Sequence, residues 1–88
     1  MDGAAGAGPG PDVVVYWRPG CTFCLRLRLV LFLYGLHPRR VNIWRDPEAA
    51  AFVRSVADGN ETVPTVVMNG RAEVNPSPRR VVAAMRGR

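Results

Sequence analysis

The hydrophobic positions along the chain fall into strand-like and helix-like patterns that alternate almost from end to end. Val13 to Trp17, "VVVYW", is an unbroken β-branched and aromatic run, the mark of a strand buried on both faces. Arg18-Pro19-Gly20 interrupts it. From Thr22 or Phe23 to about Tyr34 the chain is rich in Leu and Arg and lacks Pro and Gly, which predicts a helix. Gly35 stands where a left-handed residue would end that helix. The uncharged run within it, Leu29 to Leu36 ("LVLFLYGL"), reads as a segment buried in the core on two sides. In "RRVNIW", Val41 and Ile43 alternate with Asn42 and Trp44, the period of a second strand.

"DPEAAAFVRSVADG" has the strongest helix punctuation. Asp46 suits the N-cap, Pro47 the first helical position and Glu48 the positive end of the dipole. Ala49, Phe52, Val53 and Val56 form one apolar stripe, and Gly59 follows as terminator. "TVPTVVM" predicts a short apolar strand, and Asn69-Gly70 is a type I′ hairpin signal. "RAEV" returns antiparallel with Ala72 and Val74 on one face, and Val81, Val82 and Met85 make a final amphipathic helix.

The predicted order is β-α-β-α-β-β-α. A strand, helix and strand within about 30 residues form a right-handed unit with parallel strands. Adding the hairpin gives a four-stranded mixed sheet with three helices over both faces. This is an α/β chain with the compact thioredoxin-like arrangement.

Length and charge narrow the picture. Eighty-eight residues make one small domain. Residues 1–12, "MDGAAGAGPGPD", offer little to bury and are expected to be a disordered tail, leaving 13–88 as the domain. The tail lacks the basic start and apolar middle of a signal peptide. The longest apolar run falls well short of the ~20 residues that span a bilayer. A cytoplasmic monomer with no membrane association is expected. All twelve basic residues are arginine and the net charge is +5. They are scattered, with no run longer than the pairs Arg39-Arg40 and Arg79-Arg80, so a solvated basic surface is expected rather than a nucleic-acid site.

The only two cysteines lie in "YWRPGCTFCLRLR", at Cys21 and Cys24. Cys21 sits where the first strand ends and the first helix begins. There it faces unpaired amides and the positive end of the helix dipole, which favour thiolate over thiol. Cysteines so placed have pKa values of about 3.5–7.5, against about 8.5 when free. Arg18 adds to this if it points the same way. The thiolate is the attacking species in disulfide exchange, so Cys21 is the expected nucleophile. Cys24, one turn further in on the same face, is the expected resolving thiol.

A closed zinc site needs four ligands, and His37 is the only other good one, so no metal is expected. A cluster shared between two chains stays open as an alternative. Pro64, at the entrance to a core strand in "TVP", cannot donate to the sheet. The expectation is a cis Val63–Pro64 bond, with the backbone of Val63 offered to an extended thiol-bearing ligand.

"YWRPGCTFC", "LRLR" and "TVPTV" together resemble the glutaredoxin family, and within it the mycoredoxins. The resemblance covers about Val13 to Met85. It implies a thiol–disulfide oxidoreductase that removes small thiols from thiolated proteins, with no tightly bound cofactor and with mycothiol or glutathione as co-substrate. It implies Cys21 and Cys24 as the catalytic pair, with Phe23 lining the thiol groove beside Thr62, Val63 and Pro64; Arg18 and Asn75 complete the expected thiol site. Thr22 stands where glutaredoxins usually have proline, and "EVNPSP" replaces the family's double glycine. The second departure argues against glutathione and for a sugar-linked thiol meeting Asn75. Two further roles stay open: a redoxin serving ribonucleotide reductase and charged by thioredoxin reductase, and an iron–sulfur carrier. The "WSGF" type segment of the former is missing.

Overall fold

A computed structural model describes residues 12–86. Seven elements follow in the predicted order: β1 (Val13–Trp17), α1 (Thr22–Leu33), β2 (Arg39–Asn42), α2 (Pro47–Val56), β3 (Thr65–Met68), β4 (Arg71–Val74) and α3 (Pro78–Met85). They build one mixed sheet in the order β2-β1-β3-β4. β1 pairs parallel with β2 and antiparallel with β3, and β4 closes the hairpin with β3. The central place of β1 explains why its sequence is apolar without interruption. Val13 and Val15 face α1 and α3, while Tyr16 faces α2.

The expected tail lies outside the described residues, apart from Asp12. That residue is tied to the hairpin: the Asn69 N–H donates to its carbonyl at 2.9 Å, and its own N–H donates to Asn69 Oδ1 at 3.1 Å.

Local chemistry sets the element ends. Asp46 Oδ1 accepts from the N–H groups of Glu48 and Ala49, each at 3.1 Å, so α2 starts where the Asp-Pro pair predicts. After α1, Gly35 adopts φ 72° and donates to Phe32 O at 2.9 Å, while Leu36 donates to Leu31 O at 2.8 Å. These are the two bonds of a Schellman ending, closed by Leu36 packing back on the core. Asn69 (φ 53°) and Gly70 (φ 87°) both lie in the left-handed region that a type I′ turn requires. Ser77 caps α3, and the Arg80 guanidinium pairs with the Glu73 carboxylate, clipping α3 to β4.

Two cores result. Val13, Val15, Leu27, Leu31, Val66, Met68, Val81 and Val82 fill the space between the sheet and the pair α1 and α3. Cys24, Ile43, Ala49, Ala50, Val53 and Val63 form the second, with the Tyr16 and Phe52 rings tilted together at 5.1 Å.

Two expectations are corrected. α1 is not buried on two sides: Leu29, Phe32, Leu33 and Tyr34 are each more than half exposed. A three-helix domain covers only one face of this helix, which meets the sheet through Cys24, Leu27 and Leu31. In α2 the buried residues are Ala49, Ala50 and Val53, and Val56, the last residue of the helix, is exposed. Gly59 terminates α2 as expected: Asp58 (φ 56°) and Gly59 (φ 86°) both take left-handed backbone, and the Gly59 N–H closes the turn onto Arg54 O at 2.8 Å. Ala72 and Val74 share a face of β4 as the alternation predicts, and both are exposed on this edge strand.

Candidate active site

The β1–α1 junction is built by a break and a cap. Pro19 cannot continue the ladder, and Gly20 takes φ 79°, a conformation open to glycine at little cost. The chain is thereby turned so that Cys21 becomes the N-cap of α1, in extended geometry. Its Sγ accepts the Cys24 N–H at 3.3 Å, the role a serine or aspartate oxygen ordinarily fills. As a thiol, Sγ donates to the carbonyl of Val63 at 3.6 Å. Residues 42 positions apart in sequence thus meet at one sulfur.

The two sulfurs differ sharply. Partial burial of Cys21 pushes its pKa up, and this is the largest single influence. The combined pull of the Cys24 side chain, the Cys24 and Phe23 N–H groups and the Arg18 charge outweighs it, leaving the thiol below its ordinary 9.0. Cys24, at 7% exposure, is pushed up to about 12, first by burial and then by the hydrogen bond and charge of Cys21. Neither is bridged. Cys21 is therefore the sulfur held ready to ionise, and Cys24 keeps its proton. Iodoacetamide alkylation of Cys21 is expected to reach half its limiting rate at a lower pH than a free cysteine peptide measured alongside, because the thiolate fraction grows through the lowered pKa. Cys24 should stay silent until far more alkaline pH. A Cys21 midpoint at or above that of the free peptide in mass-resolved labelling would remove the cap's effect on the sulfur.

The remaining expected site residues surround Cys21 unequally. The Val63–Pro64 bond is cis. Val63 and Pro64 are buried, and the half-buried Thr62 accepts from Thr65 Oγ1 at 2.7 Å, which holds the loop in place. Asn75 (φ 50°) donates its backbone N–H to Pro64 O at 2.7 Å and stands exposed beside that loop. Phe23 is exposed at 56% in the first turn of α1. Arg18 is half-buried, with its guanidinium 6.0 Å from the centre of the Trp44 ring. That partner was not foreseen. Trp44 reads as an outward strand residue, and the only hint was a large aromatic ring left on an otherwise polar side. His37 is exposed and meets the Phe32 ring edge-on at 6.2 Å. Among the described residues, no three His, Cys, Asp or Glu side chains gather as a metal site.

A sulfur capping a helix, a second sulfur one turn inward and a Val-Pro loop against the first suit thiol–disulfide chemistry. The glutaredoxin family model matches residues 13–73.

The chain belongs to the glutaredoxin family.

Rv3198A of Mycobacterium tuberculosis, a provisional glutaredoxin by name, is 38% identical over 74 residues, spanning 83% of this chain and 88% of its own. Mycoredoxin 1 of Corynebacterium glutamicum is 34% identical over 73 residues, spanning 82% and 90%. Among solved structures, the glutaredoxin-like NrdH-redoxin of Escherichia coli aligns with a TM-score of 0.67 at 24% identity, over 81% of this chain and 91% of its own. The thioredoxin-like protein BC3987 aligns with a TM-score of 0.72 at 19% identity, over 85% and 95%. These two establish the fold. Glutaredoxins are thiol–disulfide oxidoreductases, so this is a glutaredoxin-like redox protein with a Cys-x-x-Cys pair at Cys21 and Cys24. No helix among the described residues is long and apolar enough to cross a membrane.

Proposed function

We propose that this glutaredoxin reduces mixed disulfides between cytoplasmic proteins and a small thiol, mycothiol, with Cys21 as nucleophile. The observation that carries the reading is the N-cap placement of Cys21 against Val63. The thiolate attacks the small-thiol sulfur of the mixed disulfide. A new S–S bond forms on Cys21, the original one breaks, and the protein's thiolate leaves and takes a proton from solvent. The Val63 N–H makes no hydrogen bond among the described residues, so it is available to the incoming thiol. In this reading Thr62, Pro64, Phe23 and Asn75 receive the small thiol beside that N–H, and Arg18 supplies positive charge.

Resolution then takes one of two routes. The thiolate of a second small thiol attacks the small-thiol sulfur of the adduct, forming the symmetrical small-thiol disulfide and releasing Cys21 as thiolate, or Cys24 attacks the Cys21 sulfur, forming the Cys21–Cys24 disulfide and expelling the small thiol. Two of the causes that raise the Cys24 pKa, the hydrogen bond to Cys21 and its charge, disappear once Cys21 is in a mixed disulfide. Burial remains. Cys24 therefore becomes a better nucleophile only once the adduct it must resolve has formed, which keeps it from competing with Cys21 in the first step.

The choice of mycothiol rests on similarity to Mycoredoxin 1 and on "EVNPSP" standing in place of the double glycine. The deciding experiment measures turnover of one mixed disulfide with mycothiol and with glutathione as reductant, using wild type and Cys24→Ser. At least tenfold higher kcat/KM with mycothiol is expected, and Cys24→Ser should keep turning over through a Cys21 adduct visible by mass. Equal or better turnover with glutathione sinks the choice of thiol. Failure of Cys24→Ser to form the adduct sinks the division of roles.

A further inference from the structure

A groove of about 530 Å³ leads away from Cys21, on the face of the sheet that carries α1. Its floor is apolar, made by Val15, Leu27 and Leu31. One wall is the flank of α1 carrying Leu25, Arg28 and Phe32, which share a side at i, i+3 and i+7. The other wall is Pro38 and Arg40, at the start of edge strand β2. It runs from Cys21 to the end of α1 at Leu36 and His37, roughly 20 Å at the rise of an α-helix. About six residues of extended chain cover that distance.

Two properties set this groove apart from the Thr62–Pro64 loop, which meets Cys21 through Val63. Two of its exposed wall residues are large and apolar: Leu25 and Phe32 are each 64% exposed. Its charges are all of one sign. Arg18, Arg28 and Arg40 line it with His37, and no aspartate or glutamate does. Among the described residues, neither Arg28 nor Arg40 makes a salt bridge. An apolar trough with unpaired cations on both walls complements a ligand that alternates apolar side chains with carboxylates. An extended peptide presents these on opposite faces, period two.

We propose that this groove docks the polypeptide that carries the mixed disulfide, as an extended acidic segment. Its apolar side chains lie on Leu27 and Leu31 beneath Leu25 and Phe32, and its carboxylates meet Arg28 and Arg40. The proposal rests on the reading of Cys21 as nucleophile toward protein mixed disulfides. It divides that substrate about Cys21: small thiol toward Val63, protein segment along α1. Selection among thiolated proteins then comes from charge and apolar pattern next to the modified cysteine.

The test uses two nonapeptides with a central cysteine, disulfide-linked to 2-mercaptoethanol. One carries alternating leucine and glutamate on both sides of the cysteine, the other leucine and lysine. Bis(2-hydroxyethyl) disulfide serves as the substrate without a peptide. Second-order exchange rates are measured by stopped flow for wild type and for Arg28→Glu/Arg40→Glu, at low and high salt. The glutamate peptide is expected to react at least tenfold faster than the lysine peptide with wild type, by a margin that shrinks in high salt. The double variant should invert the order while its rate with bis(2-hydroxyethyl) disulfide stays within twofold. If wild type reduces both peptides at one rate while reducing bis(2-hydroxyethyl) disulfide, the groove is not the docking site and the oxidoreductase reading stands. If bis(2-hydroxyethyl) disulfide itself is not reduced, that reading falls and the docking proposal falls with it. Should the double variant not fold, Arg28→Gln alone serves in its place, and a glutamate-peptide preference equal to that of wild type would overturn the docking site.

Discussion

Cys21→Ser is expected to lower kcat/KM for any mixed disulfide by at least about 10³-fold, the scale on which loss of a covalent nucleophile is felt. The substitution changes one atom, and the fold should tolerate it. A serine oxygen at the N-cap accepts the Cys24 N–H as the sulfur does, and serine is among the best capping residues. What disappears is chemistry. A hydroxyl does not ionise near neutral pH, and oxygen cannot enter the chain of thiol–disulfide exchanges. Cys24 cannot take over, because its thiol is buried and held near 12 with Cys21 beside it. Replacing Cys21 removes part of that elevation but leaves burial, its largest cause. The measurement is disulfide turnover together with thermal unfolding. Unchanged unfolding with no turnover is the expected pair. Residual turnover above a few per cent would mean that Cys24 is the attacking sulfur.

Leu27→Ala is expected to cost about 2–4 kcal/mol of stability, within the range for a large buried aliphatic side chain cut back to alanine. Leu27 is 2% exposed and packs between α1 and the sheet, in the core that holds the helix to β1. A domain of this size has roughly 4–11 kcal/mol in all, so the change removes a large share. At about 4–8 °C per kcal/mol, the melting temperature should fall by roughly 10–30 °C. Leu29, two residues on in the same helix, is 55% exposed, and Leu29→Ala should stay within about 0.5 kcal/mol. Thermal unfolding followed by circular dichroism separates the two. Similar losses from both would mean that the outer side of α1 is covered in solution, contrary to the exposure of Leu29, Phe32 and Leu33.

That pair of leucines marks a boundary in what could be read from residues alone. α1 has apolar residues on nearly every side, so its pattern carries no preferred face. Which leucines become core depended on where β1 and α3 stand, and those contacts are made with residues distant in sequence. α2 was legible because Asp46, Pro47 and a one-sided stripe all act within a few positions, yet even there Val56 lost its expected burial at the end of the helix. The hairpin was legible for the same local reason: Asn69-Gly70 tolerates the positive φ values that few residue pairs accept.

By itself the sequence determined the order of elements, the sheet type and the position of two sulfurs at a strand-to-helix junction. Those follow from period, caps and turn residues, whose influence spans a turn or less. The tertiary structure decided how the sulfurs differ, because ionisation depends on burial and on groups brought from afar, such as Val63 against Cys21. It also decided that Arg18 rests on Trp44, and that one flank of α1 stands open above an arginine-lined groove. Side-chain exposure is a property of what packs against a helix, and no local signal within the helix encodes that.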